Sequence, residues 1–420
     1  MIRNLFSGLS RHEQITFAML CLTMIAIAFW WRIGIIAIIL LSSVSLYKTI
    51  VTKRHLSPST SHLSLSQKVS LWSMVGYGLL YVISALTSTN HTEGWFKFAI
   101  KAWFLILPAA CLLADTAYLT KRHILAVFQL LTASLLVRFA ICIAISGIKL
   151  LQGTPLDIVR DWQEDPLGMH HNYLALYIDV AIVYLYTQFL ATPRADRRRR
   201  WPILIIAATL LIAYLMLVSS RSGIVALVLA FAAALVHITF FRKQYKAGII
   251  TVMLAITTIA GLYIAVPSLF DRFVALTTWT ENYYPDDRVL AWECGAKATR
   301  GHLLLGYGSG DYMPHLVNAF EQRGYMRAID IGYNTHNEYI ETILQTGLVG
   351  LAMLLVMLFA PLATALRKDS RNMPTVLVII IISSLCIFEA MLNRQMGTQF
   401  IALVYCLLIL SLRPSRNGVS

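Results

Sequence analysis

Residues 334–350 read Asn334-Thr335-His336-Asn337-Glu338-Tyr339-Ile340-Glu341-Thr342-Ile343-Leu344-Gln345-Thr346-Gly347-Leu348-Val349-Gly350, and here a long polar segment gives way to an apolar run. Thr335 and Glu338 have the spacing of a capping box, which predicts Thr335 as N-cap and His336 in the first helical turn. Backbone N–H groups and the helix dipole make that turn a positive end, which favours neutral imidazole. Such a histidine beside an anion-binding helix end suits removal of a proton from an attacking hydroxyl as a phosphate departs. The plainer reading is a polar cap at a membrane surface. The apolar run extends to about residue 366, or about 45 Å of straight helix against a hydrocarbon core of about 30 Å. Its first turns carry Glu338, Glu341 and Gln345, too polar for lipid. The helix is therefore expected to rise out of the membrane or to break near Gly347 and Gly350.

The remainder of the chain repeats this apolar theme. Of 420 residues 58% are hydrophobic and 13% charged, the composition of an all-α, polytopic integral membrane protein, since helices and closed barrels alone satisfy a backbone in lipid. About twelve transmembrane helices are expected, near 14–31, 33–50, 69–89, 96–114, 123–148, 171–190, 201–218, 222–241, 247–267, 337–366, 374–392 and 397–412. The reading is one membrane domain over 1–420, with spans in 14–267 and 337–412 and a large outer loop, 268–336, between helices 9 and 10. No cleavable signal peptide is expected, because the first apolar run lacks a small-residue cleavage site.

The net charge of +14 would suggest nucleic acid in a soluble protein, but its placement excludes that. Alternate connecting segments carry the basic residues, among them Lys121, Arg122, Arg194, Arg197 to Arg200, Arg367 and Lys368, whereas most acids lie in the others. This pattern predicts cytoplasmic termini and an outward-facing 268–336 segment. The run Arg197 to Arg200 is then an orientation signal at an anionic leaflet. Six cysteines are present, five of them in spans, and no zinc or C-x-x-C spacing occurs, so neither a metal site nor a disulfide framework is expected.

Against the charge rule, arginines also stand on the outer side. Arg221, in Ser219-Ser220-Arg221-Ser222-Gly223, sits in a short turn of hydroxyls that suits a phosphate or, more plainly, snorkels to the interface. Arg288 and Trp292 share a helical face by their i, i+4 spacing. That pair can clamp a pyrophosphate and stack a sugar, or Arg288 pairs with Asp286. Gly306-Tyr307-Gly308-Ser309-Gly310 is either a flexible cradle of backbone amides around Gly308 or an ordinary loop. His170-His171-Asn172-Tyr173 opens the sixth span and either contacts an acceptor sugar or caps the helix. Arg138 and Asp179 lie at comparable depths by helical rise; buried charges in lipid must pair or line a wet cavity, and the two are expected to meet. Lys101 and Glu389 are placed along the same cavity, with Arg394 at its rim.

The outer Ser-Arg-Ser-Gly turn, Arg-x-x-x-Trp, the glycine-spaced stretch and His-Asn-Glu-Tyr-x-Glu ahead of Gly-x-x-Gly occur here in the order found in the bacterial O-antigen ligase family, which the chain resembles closely from Ser219 to Leu366. The first half resembles it in span count alone. Related O-antigen and polysaccharide polymerases and protein O-oligosaccharyltransferases share these motifs. The resemblance implies a glycosyltransferase of the C superfamily in a Gram-negative inner membrane, working on the periplasmic face without nucleotide sugar, metal or other cofactor. Its implied donor is an undecaprenyl-pyrophosphate-linked glycan and its implied acceptor lipid A-core oligosaccharide. The implied catalytic residues are His336, Arg221 and Arg288, and the implied substrate contacts Asn337, Glu338, Trp292, His170, His171, Gly308 and Arg394. The end of the chain soon after its last span disfavours the protein-modifying branch, and ligase is preferred to polymerase. A transporter or flippase of an amphipathic anion is the reading from another class. It would require charges accessible from both sides and two related halves.

Overall fold

The computed structural model describes residues 3–51, 63–154, 162, 164–241, a few positions between 243 and 260, 287–367 and 372–412. Among them the backbone is helical, with extended pairing limited to an isolated bridge between Glu164 and His170. In chain order the helices are α1 (Arg11–Phe29), α2 (Trp31–Val51), α3 (Leu65–Thr87), α4 (His91–Lys101), α5 (Trp103–Leu113), α6 (Lys121–Leu151), α7 (His171–Ala191), α8 (Arg197–Val218) and α9 (Arg221–Val236). After the undescribed segment come α10 (Asp287–Ala298), α11 (Tyr312–Arg323), α12 (Met326–Asp330), α13 (Glu338–Arg367), α14 (Met373–Phe388) and α15 (Gln395–Ser411).

Eight helices among the described residues are long and apolar enough to cross a membrane; α4 and α5 make a further candidate span bent by 44°, and α14 and α15 are shorter apolar helices. The chain is a multi-pass helical membrane protein. These elements coincide with the expected spans except that of 247–267, most of which lies outside the described residues. The segment expected as a loop carries three α-helices among its described residues. Its α10, α11 and α12 close over a small core shared with the start of α13, with Leu316 and Phe320 fully buried against Ala291 and Leu344.

α7 and α15 are buried on nearly all sides, as helices apolar all round must be. Tyr177 stacks on Phe400 with ring centroids 3.8 Å apart and donates its hydroxyl to the Met396 carbonyl at 2.7 Å. Around this centre the connecting segments gather at two ends. At one, Gln67 Nε2 donates to the Ile409 carbonyl at 2.6 Å, joining the start of α3 to the end of α15. This end collects the basic connections at Lys121 and at Arg197 to Arg200. A groove of about 460 Å³ lined by Tyr184, Gln188, His237 and Asn372 also lies here. At the other end Asp311 accepts from the Thr89 and Asn90 amides at 2.6 and 2.8 Å. The segments bearing His170, Arg221, His336 and Arg394 meet at this end, so the connections sort as their charges require.

α13 breaks at Gly347, one of the two glycines expected to allow it, with φ 69° and ψ −166°. A Cβ there would lie 2.1 Å from the Leu304 carbonyl oxygen, so only glycine admits this approach. The segment before α11 supplies the bonds that the break removes. Leu348 and Val349 donate to the Leu303 and Leu304 carbonyls, and Tyr307 and Gly308 donate to those of Leu344 and Gln345. A helix interrupted at membrane depth is tolerable when other protein groups take up its freed donors and acceptors.

The expected Arg138–Asp179 pair does not form. Arg138 is fully buried and forks onto Asp165, with Nε–Oδ2 at 2.7 Å and Nη2–Oδ1 at 2.5 Å, and it donates further to the Ala28 and Phe29 carbonyls. Asp165 also accepts from Tyr214 Oη at 2.8 Å and from the Met169 amide at 2.9 Å. The connection ahead of α7 thus folds inward and brings its own carboxylate, while Asp179 is fully buried with neither oxygen hydrogen-bonded among the described residues. Removing one member of a buried pair leaves an uncompensated charge, at a cost of about 3–5 kcal/mol. Arg138→Leu and Asp165→Asn are each expected to lower the unfolding temperature in detergent sharply, and together by much less than the sum. Strict additivity would show that the pair is not coupled.

Candidate active site

The turn ahead of α13 departs from a capping box. The helix begins at Glu338, and its N-cap is Asn337, whose Oδ1 accepts from the amides of Tyr339 and Ile340 at 3.0 Å. Thr335 instead donates its hydroxyl to Glu341 Oε2 at 2.8 Å. Glu338 reaches across to the Leu392 amide at 2.7 Å and to Lys101 Nζ at 3.5 Å. Histidine 336 therefore precedes the helix instead of lying in its first turn. It has φ 45°, a left-handed conformation uncommon for a side chain larger than glycine. The Asn334 side chain holds its amide at 2.8 Å, and local strain of this kind collects at functional sites.

The His336 ring is partly exposed, 22% at its side chain, and its Nδ1 lies 3.2 Å from Glu389 Oε1. Glu389 follows the last residue of α14 in extended conformation. Burial alone would raise its carboxyl, but the hydrogen bond and charge of His336 hold it down to about 2. Both carboxylate oxygens also accept from other donors, Oε2 from Asn172 Nδ2 and Oε1 from the Ala390 amide, so Glu389 acts as an acceptor toward the ring; in the neutral ring the proton sits on Nδ1 and the Nε2 lone pair is free.

Glu389 also joins His336 to the arginine turn. Asn172 Nδ2 donates to Glu389 Oε2 at 2.7 Å, and Asn172 Oδ1 accepts from the Ser220 and Ser222 hydroxyls at 3.0 Å each. Those serines flank Arg221, the first residue of α9, in a turn made possible by Ser219 at φ 53° and capped by Ser220 Oγ on the Gly223 amide. On the other flank Trp292 Nε1 donates to the His336 carbonyl at 3.3 Å, and its ring stands 6.2 Å from that of Phe388. Arg288 is one turn before Trp292 on α10. The three elements carrying His336, Arg221 and Arg288 thus converge.

A buried polar layer lies beneath. Lys101, Glu338 and Glu341 are wholly inaccessible. Lys101 Nζ donates to the Leu392 carbonyl at 2.9 Å and stands 4.6 Å from the centre of the Tyr81 ring, while Asn393 Nδ2 donates to Glu341 Oε1 at 2.6 Å. Each charge finds partners, as burial at this depth demands. The layer fixes the 389–394 segment against the first half of α13.

Asn337 and Glu338 were expected to contact substrate, but their polar atoms are taken up inside the protein: Asn337 caps α13 and donates Nδ2 to the Ile387 carbonyl at 3.0 Å, and Glu338 belongs to the buried layer. Gly308 likewise stands apart from a ligand cradle. The amides of Tyr307, Gly308, Ser309 and Gly310 go to Leu344 O, Gln345 O, Ser84 Oγ and Ser88 Oγ. This stretch packs the broken helix against α3, and a Cβ at Gly308, where φ is 97°, would lie 2.6 Å from Ser88 Oγ.

His170 is the N-cap of α7, with Nδ1 3.4 Å from the Asn172 amide and its ring stacked on His171 at 4.2 Å. Burial and the neighbouring His171 push it down to about 3, so it is neutral at physiological pH. Arg394 is exposed at the N-cap of α15, five residues after Glu389.

Residues 205–355 match the O-antigen ligase family model. The chain carries an O-antigen ligase family domain. No curated protein matches the chain. The domain takes in Arg221, Arg288, Trp292, Gly308, His336, Asn337 and Glu338, whereas His170, His171, Asn172, Glu389 and Arg394 stand outside it. The family is one of glycosyltransferase-like enzymes. From the sequence Glu389 is expected only along a cavity wall, and Asn172 carries no signal of a site residue. The available signal was a carboxylate at the end of an apolar span, which membrane energetics marks as functional.

Proposed function

We propose that this protein is an O-antigen ligase that transfers a glycan from undecaprenyl pyrophosphate to a sugar hydroxyl of lipid A-core, at the periplasmic face of the bacterial inner membrane. The observation that carries the reading is the convergence of His336, with Nε2 free, on the Ser220-Arg221-Ser222 turn and the Arg288–Trp292 helix. In this reading the acceptor oxygen forms a bond to the anomeric carbon as the bond from that carbon to pyrophosphate breaks. Nε2 of His336 takes the hydroxyl proton, and undecaprenyl pyrophosphate departs with the bonding pair. Arg221 and Arg288 supply fixed donors for the growing charge on the leaving group, which electrostatic preorganisation stabilises most in the transition state. Trp292 offers an aromatic face for a sugar, and His170, His171 and Arg394 rim the acceptor side. Cytoplasmic termini follow from the basic connections at the opposite end.

A single displacement with base assistance inverts the anomeric centre. NMR of the product is expected to show the configuration opposite to that of the lipid-linked donor. Retention would require a different mechanism, and lengthening of the donor's own glycan would identify a polymerase.

A further inference from the structure

We infer that Glu389 is the positioning residue for His336 and that, through Asn172, it locks the histidine to the Ser220-Arg221-Ser222 turn. The inference deepens the transferase reading and rests on it for the identity of the reaction. Glu389 is nine-tenths or more buried yet meets His336 Nδ1 with both oxygens, at 3.2 and 3.3 Å. The rest of its acceptor capacity is filled by Asn172 Nδ2 at 2.7 Å and by the Ala390 amide at 3.1 Å. A carboxylate held by three donors has little freedom, so the ring it accepts from is held as well. An amide at Asn172 suits the junction because it donates to the carboxylate while accepting from two hydroxyls.

The arrangement spans the fold: Asn172 begins α7, Glu389 follows α14, and the serines begin α9, helices that pack on one another. A shift of α9 is thereby transmitted to the imidazole through three hydrogen bonds. Two consequences follow. The free lone pair is always on Nε2, and the distance between proton acceptor and the arginine turn is fixed before any substrate arrives. Such preorganisation is what removes reorganisation cost from the reacting step.

The test uses full-length protein with 15N-labelled histidine and the Glu389→Gln variant, the His336 signals being assigned by their loss in His336→Asn. In wild type the neutral ring is expected to carry its proton on Nδ1. Glutamine can turn its NH2 group toward Nδ1 and trap the opposite tautomer, as an amide does in place of the triad aspartate in serine proteases. In Glu389→Gln the neutral ring is therefore expected to shift toward Nε2 protonation, with kcat lowered at least about tenfold and KM within about twofold. Should the variant fail to fold, the wild-type tautomer still decides: a proton on Nε2 overturns the inference. Unchanged tautomer and kcat in a folded Glu389→Gln overturn it too. Nδ1 protonation in a wild type that transfers no glycan to any acceptor supports the orientation and sinks the transferase reading instead.

Discussion

His336→Asn is expected to reduce kcat for glycan transfer by about 10²- to 10⁴-fold, the range over which a positioned general base contributes. Asparagine is the sharper substitution because His336 has φ 45°, a conformation that asparagine adopts more readily than most residues. Loss of activity would then report loss of the imidazole and not collapse of the turn. The surrounding contacts support this, since Trp292 and Asn334 engage the backbone of His336 and not its ring. KM for the lipid-linked donor should stay within a few-fold, because the interaction lost belongs to the transition state. A variant that folds and transfers at the wild-type rate would return His336 to the role of a polar turn residue.

Arg221→Ala and Arg288→Ala are each expected to lower kcat by about 10²- to 10³-fold, the scale on which one preorganised donor stabilises developing charge. Arg221→Lys should recover little of this. Lysine keeps the charge but not the planar fork that matches two phosphoryl oxygens. The setting of Arg221 gives the prediction its force: the flanking Ser220 and Ser222 are fully or nearly fully buried, and both are bonded to Asn172. Its backbone is therefore fixed by a site hydrogen-bonded to His336. An arginine that merely snorkelled would leave kcat untouched on truncation. Loss of affinity for donor with kcat intact would assign it to uniform binding instead.

Much of the architecture was legible because lipid imposes a simple code. Apolar runs of spanning length give helices, and alternating basic and acidic connections sort them into two ends, as seen at Lys121 and at His170. The break in α13 was legible for the same reason: a helix too long and too polar at its start, with Gly347 inside it, has few alternatives. What escaped was where connections fold. Thr335 and Glu338 have capping-box spacing, yet Glu341 and the Leu392 amide are stronger partners for them, and the cap passes to Asn337. Helical rise matched Arg138 with Asp179, but depth says nothing of a loop turning inward, and Asp165 takes the arginine. Glu389 and Asn172 meet across 217 residues of sequence, a contact no local spacing encodes. The charged residues were visible, but their pairing was a property of the packed helices.

The most direct test of the central reading is transfer by the purified protein in lipid, with undecaprenyl-pyrophosphate glycan as donor and lipid A-core as acceptor, EDTA in half the reactions, and His336→Asn alongside. The account predicts glycan on lipid A-core at equal rates with and without EDTA, and loss of that product in the variant. Equal transfer by wild type and variant, or no transfer to lipid A-core by either, would contradict it.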